Sequence, residues 1–146
     1  MPTYSFKDVT ATLVGPTGAI SLGYGSASAE EGIDIEAAGD KNTMTVAADG
    51  EVMHSLHADK SGKVVVRLLK TSPQNQKLMA IYDAQSLTST LWGQNIITVS
   101  NTAVGDLHVA RQCAFKKKPT MKYAKDGDII QWEFDAGKID SVLGTY

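Results

Sequence analysis

The chain has 146 residues, enough for one domain with a single core. Its 14 Lys+Arg against 16 Asp+Glu leave a formal charge of -2, without the basic excess expected of a general nucleic-acid binder. With 42% hydrophobic and 21% charged residues it reads as a globular mixture, not a disordered one. No apolar run reaches the ~18 residues of a membrane span, and the N-terminal MPTYSFKDVT lacks the basic-then-apolar pattern of a secretory signal. The single cysteine, Cys113, excludes an internal disulfide framework and any multi-cysteine metal site.

The elements predicted in chain order are mostly antiparallel strands. From Asp8 to Val14, Val9, Ala11 and Leu13 alternate onto one face, and the run closes on the turn signal Gly15-Pro16-Thr17-Gly18. Residues 24–42 read as an extended acidic loop or hairpin, with Ile33 and Ile35 the only large apolar residues from Glu30 to Asn42. The next stretch permits a register argument. A three-residue loop of Ala48, Asp49 and Gly50, with Gly50 at positive φ, pairs Ala47 with Glu51. A five-residue loop from Ala58 to Gly62 would then pair His57 with Lys63. Met44, Val46, Val52, Leu56, Val64, Val66 and Leu68 then share one face, the expected core face. The opposite face is mostly polar.

Thr71-Ser72-Pro73-Gln74 offers a capping residue with Pro at the first helical position. Leu78, Ile81, Tyr82, Leu87 and Leu91 continue a helical stripe, and Gly93 is the expected stop. Strands follow at 95–101 and 106–115, the latter with Leu107, Val109, Cys113 and Phe115 expected on one face. In the last, 128–134, Ile130, Trp132 and Phe134 oppose Gln131 and Glu133. The expected fold is mainly β, an antiparallel β-sandwich or partial barrel with one flanking α-helix, in a single domain over 1–146.

Charge is sorted along the chain. Seven acids and one base lie between Glu30 and Glu51, whereas five bases and no acid lie from Lys60 to Lys77. Six bases and no acid lie from Arg111 to Lys125. Two readings fit: neighbouring strands neutralise one another, or an acidic segment of one copy meets a basic patch of the next.

Searches for chemistry find little. His54 and His57 are three apart, which on a strand sends them to opposite faces, so no shared metal is expected, with or without His108. Cys113 sits among core-type residues, as a structural thiol would. No G-x-S-x-G elbow occurs, Gly23-Tyr24-Gly25 lacks the rest of a dinucleotide fingerprint, and Ser61-Gly62-Lys63 lacks the upstream glycine of a phosphate loop. No catalytic residue, cofactor or metal is expected.

The segment from Gly39 to Leu78 resembles the core of the tail tube proteins of long, contractile-tailed bacteriophages. The likeness is carried by Asp40-Lys41-Asn42-Thr43 with Val46, Asp49-Gly50, Ala58-Asp59-Lys60-Ser61-Gly62 and Thr71-Ser72-Pro73-Gln74-Asn75. The opening strand with Gly18 and the closing Ile130-Gln131-Trp132 fit the family more loosely. The resemblance implies a structural virion protein, not an enzyme: six copies in a ring, and rings stacked into a hollow conduit for DNA ejection. It implies partners in itself, the tail sheath, tape measure and baseplate, with phage DNA passing unbound and no membrane. The place implied is the virion tail, assembled in the host bacterial cytoplasm. A tube of a related cellular injection machine, of type VI secretion or pyocin type, is the alternative, and a monomeric β-sandwich binding module a remote one. In this picture Glu30, Glu31, Asp34, Glu36, Asp40 and Lys41 are expected at the contact between rings. Thr43, Thr45, Glu51, Ser55 and His57 are expected to face the lumen. Lys116, Lys117 and Lys118 are expected to form a basic subunit-contact patch.

Overall fold

The computed structural model describes residues 2–23 and 28–146, and for residues 28–31 the backbone. A short 3-10 turn at Phe6–Asp8, ten strands and one α-helix are described: β1 (Val9–Gly15), β2 (Gly18–Ser21), β3 (Ser28–Ala37), β4 (Asn42–Val46), β5 (Val52–Leu56), β6 (Gly62–Leu69), α1 (Gln74–Gln85), β7 (Asn95–Asn101), β8 (Asp106–Phe115), β9 (Ile129–Ala136) and β10 (Lys138–Val142). All strand pairs are antiparallel. The strands run β2-β1-β7-β8-β9-β6-β3, with β10 also on β8 and with β4-β5 as a separate ribbon.

Strand β8 is the corner of this sandwich. Its first half pairs with β10, from Leu107 opposite Val142 to Arg111 opposite Lys138. Its last two residues pair instead with β9, Phe115 opposite Phe134. The change of partner falls at Gln112, the one non-glycine at positive φ among the described residues, at 55°. The ladder to β7 shifts register across the same point. This bulge overturns the expected β8 face: Ala110, Cys113 and Phe115 are buried, while Leu107 is exposed. An extra residue reverses the alternation, so a face read with period two cannot cross it.

The core lies between the two sheets. Leu13, Val64, Val66, Leu68, Ile97, Cys113, Phe115, Trp132 and Phe134 are all buried, and Phe115 packs at 4.8 Å between ring centroids on Phe134 and 5.9 Å on Trp132. The Cys113 Sγ–H points at the Ala110 carbonyl, 3.3 Å away, and burial pushes its thiol up to about 11. At pH 8 about one molecule in a thousand would then carry the thiolate, the reactive form. A colorimetric thiol reagent is expected to read no reactive group in the native protein and one in denaturant.

The helix is set by buried polar contacts more than by an apolar stripe. It ends at Gln85, short of the expected Gly93, and Leu87 is exposed. The reason is the Gln85 side chain, which is fully buried and exchanges two hydrogen bonds with the buried Asn95 amide, at 2.6 and 2.8 Å. Gly15 is required beside this pair, since a Cβ there would sit 2.0 Å from Asn95 Oδ1. At the other end, Ser72 Oγ accepts from the Gln74 N–H. Asn75 bridges, donating to the Leu69 carbonyl at 2.8 Å and accepting from Trp132 Nε1–H at 3.0 Å. These contacts give the Thr71-Ser72-Pro73-Gln74-Asn75 motif a structural purpose: it ties the helix start to β6 and to the core tryptophan.

Candidate assembly surfaces

The middle of the chain forms one long ribbon. β3 pairs with β6 up to Ala37 opposite Gly62, and the Ala38 N–H still reaches the Ser61 carbonyl at 3.0 Å. The ladder then breaks and resumes with the His57 N–H on the Lys41 carbonyl, continuing as β4 against β5 to the tip. At the tip Ala47 N–H bonds the Glu51 carbonyl and Gly50 has φ 92°, the bulged three-residue turn expected from the sequence. The expected pairing of His57 with Lys63 is not formed. β5 and β6 are successive segments of one returning strand, and β6 finds its partners in β3 and β9.

The same result moves the arm out of the core. Met44, Val46, Val52 and Leu56 share a face as expected, but they are 50–81% exposed and belong to no buried cluster. The sequence does carry a signal for this. Gly39-Asp40 and Ala58-Asp59-Lys60-Ser61 interrupt both strands at the same distance from the tip, as a projecting arm requires. The expected acidic loop around 24–42 divides accordingly. Residues 24–27 lie outside the description, Ser28–Ala37 is a paired strand, and the arm begins beyond it.

The candidate contact residues separate into two groups. Asp34 meets Arg67 at 2.9 Å and Glu36 meets Lys63 at 3.6 Å, so β3 and β6 neutralise each other within the chain. Their carboxylates remain exposed, and such pairs hold only ~0–1 kcal/mol. Asp40 and Lys41 are exposed at the root of the arm, while the Glu30 and Glu31 side chains lie outside the description. The candidate lumen residues Thr43, Thr45, Glu51, Ser55 and His57 share the polar face of the arm, with Thr43 Oγ1 and His57 Nε2 2.7 Å apart. His54 lies on the other face, 3.1 Å from the Asn42 amide, and His108 bonds Ser141 at 2.8 Å. The three histidines are therefore held locally and are not brought together.

Lys116, Lys117 and Lys118 are exposed where β8 ends, and no ion pair to them is found among the described residues. The main charge cluster centres on Asp140, which meets Arg111 at 2.6 Å, Lys60 at 3.6 Å and Lys138 at 3.8 Å. Desolvation alone would raise its carboxyl, but the three cations outweigh it and hold the carboxyl below its ordinary value. It fastens β10 to β8 and to the turn before β6. β2, β3 and β10 are the ends of the strand order, each with one side free of a neighbouring strand among the described residues.

The sequence matches the bacteriophage PhiTE tail tube protein family over residues 1–144. The chain belongs to this family. It is a tail tube subunit, a structural component of a phage tail, built on the mainly β fold expected for one. Solved structures support the fold. A chain of the sheath/tube terminator of PVC, an extracellular contractile injection system, superposes with TM-score 0.61 at 12% identity, covering 98% of this chain and 99% of its own. A chain of the PVC sheath-tube complex in the extended state gives TM-score 0.59 at 12% identity, over 97% and 92%. A chain of the anti-feeding prophage tube-terminating cap gives 0.58 at 8%, over 99% and 93%. No curated protein matches.

Proposed function

We propose that this tail tube subunit closes into rings, six copies by the family resemblance, which stack into the hollow conduit for DNA ejection. The observation that carries the proposal is the arm: ten strand residues that project with five large apolar side chains in water. Such a surface is an aggregation hazard in a monomer and an asset in an ordered polymer. The free edges of β2, β3 and β10 fit the same reading, because ring closure would pair an edge with the next copy.

The polar face of the arm, Thr43, Thr45, Glu51, Ser55 and His57, is proposed to line the bore. Support comes from the cations Lys63 and Arg67. They lie on β6, outside the arm, each already facing an acid of β3. At its root this face carries one lysine, Lys41, opposite His57; a bore face so poor in cations would let a polyanion slide, since phosphate contacts supply most non-specific affinity for DNA. Asp34, Glu36, Asp40 and Lys41, with Glu30 and Glu31, are proposed to meet the Lys116, Lys117 and Lys118 loop of an adjacent copy. Weak, exposed pairs within a chain exchange partners at small cost. Sheath and baseplate are proposed as outer and terminal partners and the tape measure as the filling of the bore, with assembly in the host cytoplasm. The role calls for no catalysis.

Negative-stain electron microscopy across a concentration series, beside light scattering, tests the reading. Rings or hollow tubes are expected. Lys116→Glu, Lys117→Glu and Lys118→Glu together are expected to reduce them, with stronger loss at low salt, where like charges are least screened. A chain that stays monomeric at every concentration, with or without a baseplate initiator, would sink the proposal.

A further inference from the structure

The outward face of the sheet formed by β1, β7 and the first half of β8 has an unusual composition. Thr10, Thr12 and Val14 lie beside Ser100, Thr98 and Ile96, and these beside Leu107 and Val109. No ionisable side chain stands among them, in a chain with 30 Asp, Glu, Lys and Arg. Val14, Ile96 and Leu107 are 41–50% exposed, and Ser21 and Ala19 of β2, opposite Thr12 and Val14, continue the uncharged patch; on the β10 side it ends at the charge cluster of Asp140, which stands opposite Val109, with Arg111 and Lys138. Helix α1 does not cover this face: its buried residues Leu78 and Ile81 join the core cluster between the sheets.

We propose that this face is the docking site for the β4-β5 arm of a second copy of the chain, an inference that rests on the assembly reading above. Three observations select the pair. First, the apolar face of the arm, Met44, Val46, Val52 and Leu56 with Asn42 and His54, also lacks any acid, lysine or arginine. Secondly, the other broad exposed sheet face, on β3, β6 and β9, carries Asp34, Glu36, Lys63, Arg67, Glu133 and Asp135. Covering that face with valine and methionine would desolvate ion pairs without replacing them, which is costly. Thirdly, the sizes agree. A five-residue strand rises about 17 Å, and the four neighbouring strands β2, β1, β7 and β8 span about 14 Å between outer axes. Sheets packed face to face at about 10 Å bury such side chains fully. Two different patches that fit each other make a head-to-tail contact, which propagates from copy to copy.

The test is cross-linking between two singly substituted proteins. Val52→Cys on the arm is mixed with Thr98→Cys on the uncharged face, or with Gln131→Cys on the charged face. A short bismaleimide is added under conditions where wild-type tubes form. The native Cys113 is buried and stays silent. The Val52→Cys and Thr98→Cys mixture is expected to yield cross-linked dimer at least tenfold above the Gln131→Cys control. Thr98→Arg, a surface change, is expected to lower assembly about tenfold while leaving the thermal midpoint of the monomer in place. Tubes that cross-link through Gln131→Cys, or through neither, overturn the docking site and leave the assembly reading standing. A wild-type chain that never assembles overturns both.

Discussion

Replacing Trp132 by Ala is expected to destabilise the fold by about 3–5 kcal/mol, a large share of the roughly 5–15 kcal/mol that holds a domain together. Trp132 is fully buried, pairs across the ladder with Val66, and its ring meets Phe115. Truncation opens a cavity and also removes the donor that satisfies Asn75 Oδ1. The conservative Trp132→Phe separates the two losses. It restores most of the ring volume but leaves Asn75 without its indole donor, at a cost of about 1–3 kcal/mol. Urea denaturation of the three proteins checks this. A Trp132→Phe protein as stable as the wild type would show that the hydrogen bond to the helix start contributes nothing net.

Exchanging Val46 for Lys and Val52 for Glu is expected to abolish self-assembly while the folded monomer keeps its stability. These residues are directly opposite on the arm, so the new charges face one another and maintain the hairpin. Both valines are at least half exposed in the monomer, so little burial is lost on substitution. In an assembled state each substitution forfeits burial of the exposed half of a valine, about 0.8–1.5 kcal/mol, and sets a charge against an apolar partner surface. The lost burial alone, about 1.6–3 kcal/mol for the pair, raises the concentration needed for assembly by about ten- to a hundredfold. Light scattering against concentration measures the threshold, and urea denaturation checks the monomer. A double variant that assembles at the wild-type threshold would remove the arm from the interface.

The legible parts of the sequence were local. The tip register of the arm follows from Asp49-Gly50 and the alternation beside it, because a bulged turn sets strand pairing over the next few residues. The buried faces of β1 and β9 follow from strict alternation, and the helix start follows from Ser72 and Pro73. What failed was also specific. Met44, Val46, Val52 and Leu56 alternate just as core residues do, and alternation states only that a strand has one apolar face. It is silent on whether that face meets the chain's own core or another copy. The β8 face failed at Gln112, where one residue in a positive-φ bulge inverts the period. The helix end failed because the Gln85-Asn95 pair joins residues ten apart through a buried contact that no apolar pattern announces.

By itself the sequence determined a mainly β fold, its tail tube family, the turn at the arm tip and the sorting of charge into blocks. Each of these depends on neighbours along the chain or on the order of short motifs. The tertiary structure alone decided that β6 pairs with β3 and β9, that Asp34 and Glu36 are already matched by Arg67 and Lys63, and that the apolar face of the arm stands in water. Those facts depend on which strands meet across tens of residues, and strand pairing is set by the packing of the whole core rather than by any one segment.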